Sequence, residues 1–108
     1  MKPKPDALDI GLGPGILQKL NGVFVAYEGI EAVVLYGSRA KGTYHAGSDI
    51  DITIKGEGIT DSLVGKIGED LDDLLLPYTF DISSWARIDN AELRGHIERV
   101  GIVIYQKS

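Results

Sequence analysis

A chain of 108 residues with 44% hydrophobic and 25% charged side chains has the composition of one globular domain, expected to span 1–108 around a single core. Its net charge of −5, with Lys and Arg scattered rather than gathered into a stripe, disfavours tight binding to a long nucleic acid but leaves room for a short polyanion. The absence of cysteine removes disulfides, thiolate metal sites and thiol nucleophiles, so any metal must be a cation content with oxygen or imidazole ligands.

Nothing in the chain approaches the roughly 20 apolar residues that span a bilayer, so no membrane association is expected. The start, Met1-Lys2-Pro3-Lys4-Pro5, leads into Asp6 and Asp9 rather than an apolar run, which is not a secretory signal; cytoplasmic residence is the expectation. Gly11-Leu12-Gly13-Pro14-Gly15 lacks the third glycine of a dinucleotide fingerprint and reads as a helix lead-in, with Pro14 suited to a first turn. Ile16, Leu17, Leu20, Phe24 and Tyr27 recur at helical spacing, predicting a first helix to about residue 27 that Gly29 ends.

Glu31 to Tyr36, centred on Ala32-Val33-Val34-Leu35, has the length and branching of a buried strand. Gly37 and Ser38 follow, then a polar connection from Arg39 to Ser48 expected to hold one helical turn and a loop. Ile50, Ile52 and Ile54 alternate with Asp49, Asp51 and Thr53, the period-two pattern of a second strand with one oily face. From Thr60, the positions Leu63, Val64, Ile67, Leu71, Leu74 and Leu75 predict a second long helix started by Asp61 and stopped by Pro77. Tyr78, Phe80 and Ile82 alternate with Thr79, Asp81 and Ser83 in a third strand. Asp89, three residues before Glu92, suggests a capping box for a short helix carrying Leu93 and Ile97, and Gly101 then breaks into a fourth strand, Ile102 to Tyr105. The class implied is α/β (α+β): a mixed, twisted sheet of about four strands with its two long helices on one face and the functional site on the other.

Side chains two apart on a strand share a face, so Asp49 and Asp51 project together with Cβ atoms roughly 6.5–7 Å apart and can converge on one cation. Alone, the pair reads equally well as a solvated strand face. The context is Gly37-Ser38: a glycine at the strand end lets backbone N–H groups approach a phosphate, and Ser38 adds a hydroxyl at a helix start. Arg39 is the favoured cation for phosphate oxygens, ahead of Lys41, which reads as a solvated loop charge; Ser48 is a secondary candidate for orienting a carboxylate or touching phosphate. His45 and His96 read as solvated histidines and receive no role, Tyr44 as a cover for apolar surface, and Trp85 as packing beneath the last helix.

The run Val34-Leu35-Tyr36-Gly37-Ser38-Arg39-Ala40-Lys41-Gly42, followed by Gly47-Ser48-Asp49-Ile50-Asp51, resembles the hallmark of the minimal nucleotidyltransferases within the DNA polymerase beta superfamily. The likeness extends through nearly the whole chain, and the stretch from Glu92 to Tyr105 is similar to that family's closing helix and strand. The resemblance implies the nucleotidyltransferase fold and a third carboxylate on a neighbouring strand, matched here by Asp81. It implies two magnesium ions bridged by Asp49 and Asp51, with Asp81 on the ion beside the acceptor hydroxyl and placed to draw its proton. It further implies transfer of a nucleoside monophosphate, AMP from ATP, to a hydroxyl of a partner HEPN-domain toxin, with pyrophosphate released. Two other readings stand beside it: a module that neutralises its partner by contact alone, and transfer to RNA or a small molecule, which would require a pocket built by a homodimer.

Overall fold

The computed structural model describes residues 11, 12, 15–45 and 47–108. The expectations for residues 1–10, for Gly13 and Pro14, and for Ala46 within the polar connection lie outside the described residues.

Helix α1, Ile16–Phe24, buries Ile16, Leu17, Leu20 and Phe24, the apolar positions its spacing gathers on one side. It stops three residues short of the expected end because the chain tightens: Ala26 N donates to Val23 O and Tyr27 N to Phe24 O, bonds to the third residue back rather than the fourth. Strand β1, Ile30–Tyr36, follows. A single turn, α2, Ser38–Lys41, fills the start of the polar connection, and strand β2 is Ile50–Gly56.

Helix α3, Asp61–Asp72, is capped by Thr60, whose side chain accepts from Leu63 N at 3.1 Å. It ends before Pro77 can act. Leu74 and Leu75 donate to Leu71 and Asp72, and Leu75 then enters the left-handed region at φ 55°, a termination normally assigned to glycine. Strand β3, Phe80–Ser84, begins two residues later than expected, and a short 3-10 turn, Trp85–Arg87, leads on. Helix α4, Ala91–Val100, is capped by Asn90, which accepts from Leu93 N at 3.0 Å, so the capping residue is one position later than the Asp89 expected from sequence. Strand β4, Ile102–Gln106, closes the chain.

The sheet order is β3-β2-β1-β4, with β1 antiparallel to both neighbours and β2 parallel to β3, which makes it the mixed four-stranded sheet expected. Val33 and Leu35 pair with Ile54 and Ile52 on the inner face, and together with Leu20, Phe24, Ile67 and Leu71 they are fully buried beneath α1 and α3. Each such isoleucine or leucine contributes roughly 1.5–3 kcal/mol by leaving water. Asn21 fastens α1 to the edge of β4 through Nδ2 to Ile104 O at 2.9 Å.

The outer face is not bare. Helix α4 crosses it on the way from β3 to β4, burying Ile97 and Val34, and a Cβ at Gly101 would come within 2.7 Å of Val34 Cγ1. Trp85 does lie beneath this helix, with the Arg94 guanidinium 4.4 Å and the Lys55 ammonium 4.6 Å from its ring centroid. What α4 leaves open on that face is the corner where β1 ends and β2 and β3 begin.

Candidate active site

Three strands meet at that corner in a fixed register. Tyr36 pairs with Asp51 across β1 and β2, and Asp51 pairs with Asp81 across β2 and β3, so the three side chains stand in a row on one face. Neighbours in such a row are about 4.8 Å apart at the backbone. Asp49 immediately precedes β2, two residues from Asp51 and on its side of the sheet. Asp49 and Asp81 are exposed, while Asp51 is half-buried.

This placement is uncomfortable for Asp51 by itself. Burial pushes its carboxyl above the usual carboxylate range, and the negative charges of Asp81 and then Asp49 push it further the same way. Three groups that offer only oxygen suit a hard cation, which relieves the repulsion.

Gly37 closes the row from the β1 side. Its backbone lies at φ 76° and ψ −155°, a region open essentially only to glycine, and a Cβ there would fall 2.2 Å from Asp51 Oδ2. The bend thus lets the backbone come against a carboxylate where no side chain fits. Helix α2 starts at once with Ser38, and the first-turn N–H groups, which have no partner inside a helix, begin beside Asp51.

Two residues expected to bind nucleotide are placed differently. Arg39 is 1% exposed, and its guanidinium donates to Ser48 O at 2.9 Å and Gly11 O at 3.2 Å while lying 5.4 Å and 5.2 Å from the ring centroids of Tyr44 and Tyr78. It fastens the loop before β2 from inside and is not offered to a phosphate; of the two cations on α2, Lys41 is the exposed one. Ser48 Oγ accepts from His45 N at 2.8 Å, and Ser48 N donates to His45 O, so this hydroxyl shapes the turn that delivers Asp49. Tyr44 covers the Arg39 guanidinium, as a packing residue would.

The donor chemistry fits magnesium in a particular way. Among the described residues no group of three or more acidic or histidine side chains is already gathered around one point. Magnesium is usually held by one or two carboxylates together with substrate phosphates and water, and the Asp51–Asp81 pair beside the Gly37 bend suits that requirement. Asp49 and Asp51, with Asp81, are the residues that would hold it.

Sequence reasoning gave Tyr36 no role of its own and read His96 as a solvated histidine, whereas the structure sets the two rings together and leaves His96 half-buried. Tyr36 shares the face of Asp51 by simple alternation along β1, a signal available once the strand register is known, and the His96 ring sits edge-on to it with centroids 6.5 Å apart. Burial raises the Tyr36 phenol above its ordinary value. Ser83 pulls the other way, and the charges of Asp81 and Asp51 add to the rise.

Comparison with known proteins bears on the family and the fold. The sequence profile of the family described as polymerase beta, nucleotidyltransferase, matches residues 18–108. No curated protein matches the sequence. Among solved structures, the chain resembles a toxin–antitoxin structure with AMP-PNP (TM-score 0.72, 18% identity, 86% of this chain and 75% of that one). It also resembles a mutant of the toxin–antitoxin MntA-HpeT (TM-score 0.70, 16% identity, 85% and 74%). A third likeness is to a tri-AMPylated Shewanella oneidensis HEPN toxin in complex with an MNT antitoxin (TM-score 0.59, 13% identity, 85% and 74%). At these identities the likeness establishes the fold. No helix among the described residues is long and apolar enough to cross a membrane.

Proposed function

This chain belongs to the polymerase beta nucleotidyltransferase family, and on that premise we propose that it transfers AMP from ATP to a hydroxyl of a HEPN-domain partner protein, releasing pyrophosphate. The observation that carries the reading is the Asp51–Asp81 register with Gly37 packed against Asp51. The solved structures it resembles, which hold AMP-PNP or an AMPylated HEPN toxin, support AMP as the group and a protein as the acceptor.

In this mechanism the triphosphate lies along the start of α2, its oxygens met by backbone N–H groups after Gly37, by the Ser38 hydroxyl and by Lys41. Asp49 and Asp51 face the α-phosphate. The acceptor oxygen bonds to the α-phosphorus as the bond to pyrophosphate breaks, and Asp81, on the outermost strand, receives the hydroxyl proton. Two magnesium ions, when bound, supply the positive charge that this polyanion needs and lower the pKa of the attacking hydroxyl. Arg39 contributes by holding Ser48, and with it Asp49, in place.

The test is pyrophosphate release from each triphosphate with magnesium and the HEPN partner, beside an Asp49→Asn, Asp51→Asn control. Equal release from both proteins would falsify the transferase reading. A second reading, neutralisation by contact alone, draws on the exposed Asp49 and Asp81, which are not gathered into a closed metal site. Complex formation without an added adenylyl mass on the partner selects it.

A further inference from the structure

Asp81 stands on β3, which ends the sheet order among the described residues. The sheet order ends at β3, so among the described residues no strand pairs with its outer edge. Thr79 O accepts from Ile50 N at 2.8 Å and Ser83 O accepts from Thr53 Oγ1 at 3.3 Å, which turns the main-chain groups of these odd-numbered positions towards β2. By the alternation of a strand, the N–H and C=O groups of Phe80, Ile82 and Ser84 face outward. Burial agrees with an open edge: the inward side chains of Phe80 and Ile82 remain half-exposed, whereas Ile50, Ile52 and Ile54 on β2 are wholly buried.

We propose that an extended segment of the acceptor protein pairs with this edge of β3 and that the residue set opposite Asp81 carries the hydroxyl that is modified. The proposal rests on the transferase reading and adds how that acceptor is recognised. Its basis is the row itself. Tyr36, Asp51 and Asp81 occupy successive register positions, and the next position, about 4.8 Å beyond Asp81, belongs to whichever strand is added. A tyrosine, serine or threonine there shares the face of Asp81, which takes the proton as the side-chain oxygen bonds to the α-phosphorus and pyrophosphate leaves.

The alternatives fit less well. A second copy pairing edge to edge would lay one acid row beside another, and like charges opposite each other destabilise a sheet. A small molecule needs a concave pocket, whereas an edge offers main-chain hydrogen bonds that recognise an extended peptide largely independently of sequence. With Asp49, Asp51 and Asp81 on the face and a net charge of −5, basic residues flanking the hydroxyl are favoured. The shortness of β3, Phe80–Ser84, limits the paired segment to a few residues and explains why the edge need not cause aggregation.

The experiment uses the whole chain with magnesium, ATP and a pool of nonapeptides carrying a central tyrosine, serine or threonine between randomised flanks. Transfer is read by mass, and amide exchange at Phe80 and Ile82 is followed with the modified peptide's precursor and AMP-PNP. Pairing slows exchange at those two amides by about tenfold or more. N-methylation of the peptide's alternate amides that face β3 abolishes transfer, and methylation of the other set does not. The proposal is overturned if both methylated sets accept AMP equally, if exchange at Phe80 and Ile82 is unchanged, or if the pool takes up nothing while RNA or an aminoglycoside does. Loss of pyrophosphate release with every acceptor is a different result and removes the transferase reading instead.

Discussion

A side chain at position 37 would collide with Asp51: the missing Cβ lies 2.2 Å from Asp51 Oδ2. Gly37→Ala must therefore displace the carboxylate or rebuild a backbone held at φ 76° and ψ −155°. The expected outcome is a loss of about 1–3 kcal/mol of folding stability, measured by urea denaturation. Transfer should fall by roughly 100-fold, since a displacement of about an ångström at a reacting centre has that effect. Near-normal pyrophosphate release from the alanine variant would show that the bend is not part of the site.

The raised carboxyl of Asp51 gives a pH dependence with a definite sign. Because folding holds its proton above the unfolded value of 3.8, the folded state binds more protons than the unfolded state between that value and the folded pKa. This contribution to stability is present below pH 3.8 and is lost as pH rises through the folded pKa. In metal-free protein, the stability difference between Asp51→Asn and wild type should then grow in favour of asparagine over that window. Denaturation midpoints from acid to neutral pH check it, and a difference that stays flat contradicts the crowding of the three acids. Adding magnesium with AMP-PNP should reverse the order, stabilising wild type by about 2.7 kcal/mol when ligand stands at about a hundred times its Kd.

Arg39 and Lys41 should exchange the roles that the sequence suggests for them. Arg39→Ala removes donors to Ser48 O and Gly11 O from a buried guanidinium and is expected to cost about 2–4 kcal/mol of stability. Arg39→Lys should not restore it, because an ammonium lacks the planar fork that reaches two carbonyls at once. Lys41→Ala should leave the unfolding midpoint within about 0.5 kcal/mol of wild type while raising KM for the triphosphate. A midpoint unaffected by Arg39→Ala would return the phosphate role to that residue.

Helix α3 and the turn that follows it carry two local inconsistencies that can be removed without touching the site. Gly65 is exposed in the helix interior with nothing within 4 Å of where its Cβ would be, so Gly65→Ala should stabilise by about 0.5–1 kcal/mol. Leu75 is 89% exposed at φ 55°, and Leu75→Gly should gain about 1 kcal/mol by relieving the left-handed strain. Calorimetric unfolding of each variant checks the sign. A loss at either position would mean that the residue makes a contact outside the chain's own fold.

Much of the architecture can be read from local pattern. Ile50, Ile52 and Ile54 alternating with Asp49, Asp51 and Thr53 specify a strand with one oily face, because a strand's side chains change side at every residue. The short-range turn chemistry is less legible. Asn90 rather than Asp89 caps α4, and Leu75 rather than Pro77 marks the end of α3, since several neighbouring residues can each satisfy the same orphan backbone groups and tertiary packing chooses among them.

The site divides along the same line. Two of the candidate acids, the bend and the hydroxyl lie in one short motif, so residue identity and spacing point to Gly37, Ser38, Asp49 and Asp51. Only the folded sheet decides that Asp81 stands opposite Asp51, that Tyr36 completes the row and that the His96 ring meets Tyr36 edge-on, because strand register is a contact between segments distant in sequence. Only the fold, too, turns Arg39 inward: a guanidinium beside a motif looks available in sequence, and which carbonyls surround it is settled by how the loop packs against it.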